Sequence, residues 1–599
     1  MSGRLASASA AETCDVDLVV IGGGVNGTGV ARDATLRGLR VALFERNDLA
    51  FGASGNSSGM IHGGPRYLSA DPEVTYTSCK DSGHIQSIAP HLLFRIPFLL
   101  PVPQAKRRIF PLMDAFFEAY DRYQPLKRGK PHARLTGEEL VQLEPGLRGE
   151  LYGGITFDEW GIDGGRLCVA NAVDAHEEGA RLFVGSTVEA IEHEGGVVRA
   201  VRYRDRGTGV GGRITTPRVV NATGAWAPLT ASLGQLPPVH ARVRPGKGIH
   251  VVFDRRLSNY AIMSETIDGR TIFIEPWQNV SVIGTTDDDY YGDLDDVVAT
   301  SEEVRYLVEG VARVFPAVRE ARIIGTFAGV RPTLYEYGKL EDALSREHAI
   351  VEHAATDGVT GLYSMLGGKL ASYRLFAEEM VDLLMRDRLG RPGAPSTTHL
   401  RALPGGDREL DALRFARDHG IDAIAARRLV YRHGARAERI GERMKRRASE
   451  ARTVCVCEPV LEAEVRHVVE HEFARTVDDV ARRTRLGLGA CGGMRCAARC
   501  GAIVAEGRGH APEVAAMDSL RFLTQKARTR VCALGPIEAR QEAIAIASLR
   551  SQAGIPTRSR LAVVGEWAAG NTAVVNAAVG NSAAAASVSV DERGAQDGG

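Results

Sequence analysis

Three glycines near the start of the chain constrain its fold more than any other feature. Gly22-Gly23-Gly24-Val25-Asn26-Gly27 satisfies G-x-G-x-x-G. The apolar run from Asp15 to Ile21 reads as a buried strand. Thr28 to Arg37 reads as a helix stopped by Gly38, and Arg40 to Glu45 as a second strand. This is the βαβ opening of a doubly wound sheet. Gly22 permits the tight turn, Gly24 lets the backbone approach a pyrophosphate, and Gly27 lets helix and strand pack closely. The helix N-terminus then offers free N–H groups and its positive dipole end to phosphates. Glu45, closing the second strand, is placed to accept hydrogen bonds from ribose hydroxyls.

Further along, 84–150 mixes helical patterns with proline and basic residues, including Gln104 to Arg108. Residues 163–224 return to helix and strand and end on Ala222-Thr223-Gly224 after a strand. Residues 240–330 alternate in the manner of strands, as in Thr271 to Ile274 and Val280 to Ile283, which predicts an antiparallel sheet beside the nucleotide domain. Asp357 to Glu379 reads as strand, glycine turn and helix, and Pro392 to Pro404 as a linker. Beyond it the chain is helical and Arg-rich up to a cluster of cysteines. The N-terminal position of the fingerprint and the second turn at Thr223-Gly224 favour FAD over NAD.

The expected domains are an FAD-binding domain over 14–83, 155–240 and 325–395, and a substrate or cap domain over 84–154 and 241–324. A helical C-terminal domain spans 405–555, with a metal module at about 453–505, and 556–599 forms a partly disordered tail. Composition sets outer limits. Lys plus Arg equals Asp plus Glu at 74 each, which gives no support to nucleic acid as the main partner. No run of about 18 or more apolar residues predicts a membrane span. Met1 to Thr13 lacks the apolar centre of a secretory signal. The expected compartment is the cytoplasm, with membrane contact at most peripheral, on the inner face of the cell membrane. Oligomeric assembly stays open.

Phe51-Gly52-Ala53-Ser54-Gly55-Asn56-Ser57-Ser58-Gly59-Met60-Ile61-His62-Gly63-Gly64-Pro65-Arg66-Tyr67-Leu68 closely resembles the flavin-proximal signature of the FAD-dependent glycerol-3-phosphate dehydrogenases. Val219 to Trp226, Ile283 to Asp287, Ala328 to Pro332 and Leu366 to Arg374 resemble that family in the same order and spacing. The likeness covers roughly 15–400. It continues into Glu462 to Arg466 and Ala474 to Val480, which look like the family's C-terminal helical cap. It implies an α/β fold of the glutathione-reductase-like class, an antiparallel-sheet substrate domain and a C-terminal helical iron–sulfur domain. It also implies cofactor contacts at Ser54, Ser57, Ser58, Val188, Thr223, Gly224 and Gly368. Gly59 stands where many members carry Lys, Pro65 where Leu or Ala is usual, and Ser372 replaces a common Thr.

Oxidising a secondary alcohol with flavin requires the alcohol carbon at the flavin, a base for the hydroxyl proton, and a grip on the rest of the substrate. A phosphate handle calls for Arg forks or Lys. The resemblance places Arg66, Arg331, Arg346 and Lys369 near the substrate, with His62 and Tyr67 close to the flavin face. Arg346 in Ser345-Arg346-Glu347 also reads as a solvated surface pair, and His62 as a hydrogen-bonding rather than proton-transferring group. The base is not assigned.

Cys455-Val456-Cys457 and Cys491-Gly492-Gly493-Met494-Arg495-Cys496 give C-x-C followed by C-x4-C. Four thiolates on two loops suit an iron–sulfur cluster or zinc. The spacing resembles the 2Fe–2S ferredoxin module related to bacterioferritin-associated ferredoxin, and a related module ends the catalytic subunit of the anaerobic-type enzymes. Cys500 takes no role in that pattern. The expected function is FAD-dependent oxidation of glycerol 3-phosphate, with electrons passed through the cluster to a membrane-associated subunit or quinone. Two alternatives are a related FAD oxidoreductase of another hydroxy acid or an amine, and a non-catalytic electron relay.

Overall fold

The computed structural model describes residues 14–68, 72–234, 241–339, 347–389 and 393–552, with the side chains of Arg66, Tyr67, Arg388, Leu389 and Gln552 excepted. The expected tail at 556–599 and Arg346 lie outside the described residues, as do the side chains of Arg66 and Tyr67.

The glycine turn joins the strand Leu18–Ile21 to the helix Val25–Leu36, and Val41–Glu45 follows. Leu18–Ile21 is buried throughout because parallel neighbours flank it on both sides and both sheet faces are covered. From one edge, the six-stranded sheet runs His348–Glu352, Leu362–Gly367, Val219–Asn221, Leu18–Ile21, Val41–Glu45 and Arg181–Val184. Only the first pair is antiparallel. The period-2 alternation persists inside the apolar run. Leu18 and Val20 pack with Val30, Val169 and Phe376 of the helices Val25–Leu36, Gly164–Glu177 and Tyr373–Leu389. Val19 and Ile21 pack with Val188, Val201 and Ile214 of a three-stranded sheet on the other face.

A second, nine-stranded and mostly antiparallel sheet lies beside the first. Its outer face, with Ile249, Val251, Ile272 and Ile274, buries Leu307 and Val311 of the helix Ser301–Ala312. Thr300 and Glu303 close a capping box at the start of that helix. The opposite face carries His250, Phe273, Phe98, Phe157 and Glu159, which line a cavity between the two sheets. The expected boundaries at 155 and 325 fall inside the strands Leu151–Ile162 and Ile323–Leu334 of this second sheet.

The C-terminal part is helical from Ala412 to Gln552, interrupted by the small hairpin Thr453–Cys455 and Val460–Leu461. Of the expected linker, residues 393–404 are a strap. Buried Arg32 donates from Nη1 to the Thr398 carbonyl (3.2 Å) and from Nη2 to the Arg401 carbonyl (2.7 Å). Arg37 donates to the Ala394 carbonyl, Ser396 to Asp33, and Arg374 to Thr398 Oγ1, so the stretch read as a linker is pinned at several points. A second anchor is stronger. Asp48, just past Glu45, binds Arg483 through both carboxylate oxygens (2.7 and 2.8 Å) and Arg482 through one (2.9 Å). Burial would raise the Asp48 carboxyl, but Arg483 and then Arg482 outweigh it and hold it down at about 2.

Candidate functional site

The turn works as its glycines suggest. Gly22 has φ +114°, and a Cβ there would lie 2.6 Å from the Ala222 carbonyl oxygen. A Cβ on Gly27 would fall 2.0 Å from the carbonyl oxygen of Gly22, so this glycine sets helix-to-turn packing and does not line the cavity. A Cβ on Gly24 would meet only Ser54 Oγ, at 3.3 Å. Gly24 therefore leaves its space for a ligand. Glu45 accepts from the N–H groups of Gly23 and Asn47, each at 2.7 Å. Burial pushes its carboxyl up, while the N–H groups of Asn47 and Gly23 pull it down. Ser54 Oγ accepts from the N–H of Val25 (3.0 Å), tying the flavin-signature loop to the helix start.

The cavity between the sheets encloses about 1230 Å³. Gly22, Gly24, Glu45, Ser54, Ser57, Ser58, Val188, Thr223, Gly224 and Gly368 all line it, and so do His62, Arg331 and Lys369. Arg331 lies over Gly248, whose missing side chain makes room for the guanidinium. Its Nη1 donates to Asp287 Oδ1 and its Nη2 to Thr285 Oγ1, both at 3.0 Å. Both partners belong to the Ile283 to Asp287 segment recognised in the sequence. Gly59 has φ +70°, and a Cβ there would sit 2.6 Å from the Ile162 carbonyl oxygen; the Lys common at this position would be strained here. Pro65 opens the short helix Pro65–Leu68, where its fixed φ is accommodated.

Two cavity-lining groups were not found from sequence. His250 binds Ser58 Oγ through Nε2 at 2.9 Å and stacks on Phe327, with ring centroids 4.5 Å apart. Burial, then the charge of Arg331, pushes its imidazole down to about 3, so it stays neutral at working pH. Glu159 is held by buried Lys127 (2.5 Å) and by the Tyr120 hydroxyl (2.6 Å). The signal for both was a lone polar residue at an inward position of an alternating strand, which also describes many ordinary loop-facing residues.

The cavity fits FAD on its own features. Asn26 Oδ1 and His250 Nδ1 are buried without hydrogen-bond partners, and Glu45 oxygens keep lone pairs beyond their backbone bonds. A helix N-terminus faces the Gly24 gap.

The cysteines come together two by two. Cys455 ends the strand Thr453–Cys455 and hydrogen-bonds Cys496, at the start of the helix Ala497–Arg508; Cys457 hydrogen-bonds Cys491. Each pair takes one thiol from each segment. The Cys496 hydrogen bond, with the N–H groups of Gly487 and Glu458, brings Cys455 down to about 6, and the Cys496 thiol is pushed up in turn. Cys500 packs one helical turn beyond Cys496 in the apolar core of this domain. Elsewhere, His433, His467 and Glu472 lie close enough to share an ion. Arg166 already binds both Glu472 oxygens, so the cluster reads as a buried ion network between domains.

Residues 17–374 match the family model described as FAD dependent oxidoreductase, and 396–513 match the C-terminal domain of alpha-glycerophosphate oxidase. The chain is 32% identical to a subunit of the anaerobic glycerol-3-phosphate dehydrogenase of Escherichia coli K12, covering 82% of this chain and 88% of the relative. It is 35% identical to glycerol-3-phosphate dehydrogenase of Mycobacterium leprae, covering 79% and 81%. Among solved structures, the FAD complex of glycerol-3-phosphate dehydrogenase from Bacillus halodurans superposes with TM-score 0.69 at 25% identity, over 88% of this chain and 98% of that one.

Proposed function

The chain belongs to the FAD-dependent glycerol-3-phosphate dehydrogenase family, and from that premise we propose that it oxidises sn-glycerol 3-phosphate to dihydroxyacetone phosphate and passes the electrons through a 2Fe–2S cluster toward quinone. The observation that carries the first half is one cavity shared by the glycine turn, Glu45, His62, Arg331 and Lys369. FAD, when bound, supplies the acceptor for the hydride equivalent leaving the alcohol carbon. The protein's own task is to hold and orient. Arg331 is fixed by Asp287 and Thr285 before substrate arrives, so little entropy is lost when its fork takes phosphate oxygens. Lys369 adds a second cation, and Arg66 and Arg346 complete the phosphate grip. His62 and Tyr67 position the alcohol, and His250, buried and neutral, holds Ser58 Oγ.

The second half rests on the cysteine pairs. A 2Fe–2S cluster needs four thiolates, and Cys455, Cys457, Cys491 and Cys496 would supply them. Zinc is the competing occupant. No described helix is long and apolar enough to cross a membrane, so quinone is reached by surface contact or through a membrane-associated subunit. The test is turnover of glycerol 3-phosphate with a dye acceptor, product identified, alongside metal analysis of anaerobically prepared protein. Product formation with two irons per chain supports the reading. No product overturns the first half, and one zinc without iron overturns the second.

A further inference from the structure

The two redox-bearing parts of the chain touch through a short row of side chains. His250 lines the flavin cavity and is bonded to Ser58 of the flavin-signature loop. Its cross-strand neighbour in the antiparallel pair Val243–Phe253 and Ile323–Leu334 is Phe327. The two rings stack at 4.5 Å with 10° between their planes. Phe327 in turn packs against the buried Val280, Val282 and Ile324, and against the same three pack Trp277 and Ala490, the residue directly before Cys491. Thus the residue before Cys491 packs on the same face of the sheet as His250, farther along the strands from the cavity.

A second contact runs alongside. Arg485 lies over the Trp277 ring at 4.5 Å and binds Glu458, the residue after Cys457. Trp277 does not line the cavity. Phe327 does not line it either, but Phe327 stacks on His250, which does, and so joins the cavity to the apolar cluster on which Ala490 rests.

We propose that His250 and Phe327 form the route by which electrons leave the flavin cavity, entering the cysteine module at Cys491. This rests on the reading of the four cysteines as ligands of a 2Fe–2S cluster. In each transfer one ferric ion becomes ferrous and the reduced flavin loses one electron. Two such transfers, with two protons released to solvent, return the flavin to its oxidised form. The cluster holds one electron at a time, so each is handed to the acceptor beyond it before the next arrives. Phe327 is a positioning residue in this scheme. It carries no charge and binds no substrate, but it packs between the imidazole and the apolar cluster on which Ala490 of the module rests. Replacing it with Ala opens a gap in which those contacts are lost.

The test uses the full chain with FAD and iron, prepared anaerobically and mixed rapidly with glycerol 3-phosphate. Flavin bleaching is followed by absorbance, and cluster reduction by paramagnetic resonance of freeze-quenched samples. In Phe327→Ala, bleaching is expected at the native rate, while the reduced-cluster signal rises several-fold more slowly. Phe327→Leu, which keeps more of the volume, is expected to lie between, with FAD and iron contents confirming that both variants fold. Trp277→Leu serves as the parallel arm and is expected to transfer at the native rate. Native transfer in Phe327→Ala, or slowing confined to Trp277→Leu, overturns the route while leaving the cluster in place. Iron-free native protein overturns the underlying reading instead.

Discussion

Replacing Asp48 with Ala is expected to loosen the whole C-terminal part from the FAD-binding loop. Asp48 is 1% exposed and receives three hydrogen bonds from Arg483 and Arg482, which lie more than four hundred residues away in sequence. The Arg483 side chain is fully buried. Without Asp48 it keeps only the backbone carbonyls of Glu472 (2.7 Å) and Asp479 (2.8 Å). Removing one partner of a buried ion pair costs about 3–5 kcal/mol, because the remaining charge is stranded. The depression of the Asp48 carboxyl sets a smaller figure for the same contact. The shift of Asp48 from 3.8 to about 2 is worth about 2 kcal/mol at ~1.36 kcal/mol per unit. A depressed carboxyl stabilises fully above its unfolded value and loses that contribution as pH falls through the folded one. The native protein is therefore expected to lose this stability between about pH 4 and pH 2, and Asp48→Ala to show no such loss. The assay is denaturant unfolding of the holoprotein at neutral pH, followed by flavin fluorescence and by tryptophan emission. FAD release is expected to move to lower denaturant, since Asp48 sits three residues past Glu45, and salt is expected to matter little for a pair this buried. A loss below about 1 kcal/mol, the scale of an exposed pair, would refute the reasoning.

Other outcomes follow from the same geometry. Gly24→Val is expected to abolish flavin retention, because the cavity space beside the turn is filled; full flavin content by absorbance would contradict this. Arg331→Ala is expected to lower kcat/KM for glycerol 3-phosphate by about 2–4 kcal/mol in transition-state terms, the scale of losing a fixed charged contact. Unchanged steady-state constants would remove Arg331 from the site. Lys127→Met strands buried Glu159 and is expected to cost about 3–5 kcal/mol in thermal or denaturant unfolding. Cys496→Ser is expected to lose the paramagnetic signal and keep substrate-driven flavin bleaching; a retained signal would exclude Cys496 as a ligand.

What the sequence made legible was local. Gly22, Gly24 and Gly27 lie within one turn, and Glu45 reaches back only to the Gly23 N–H, so strand, helix and fingerprint could be read together. The C-x-C and C-x4-C spacings were legible for the same reason, but the pairing of Cys455 with Cys496 and of Cys457 with Cys491 joins two separate segments and needed the fold. His250 was not legible. Its significance depends on Ser58 and Phe327, which only the register of an antiparallel sheet brings beside it. Nor was the Asp48 anchor, since nothing near Asp48 in sequence distinguishes it from a surface aspartate. The strap at 393–404 reads as a linker from its composition, and its anchors were not legible because they come from Arg32, Asp33 and Arg37 of the first helix and from Arg374. The second sheet also draws the strands Leu151–Ile162 and Ile323–Leu334 across boundaries placed by pattern alone, because strand patterning does not say which sheet a strand joins.

The most direct measurement is anaerobic titration of the purified yellow protein with glycerol 3-phosphate, following the flavin absorbance, with lactate and glycine as parallel titrants. Bleaching by glycerol 3-phosphate alone, with dihydroxyacetone phosphate recovered, is the predicted result. A flavin that stays oxidised with glycerol 3-phosphate, or that lactate or glycine bleaches equally well, would contradict the account.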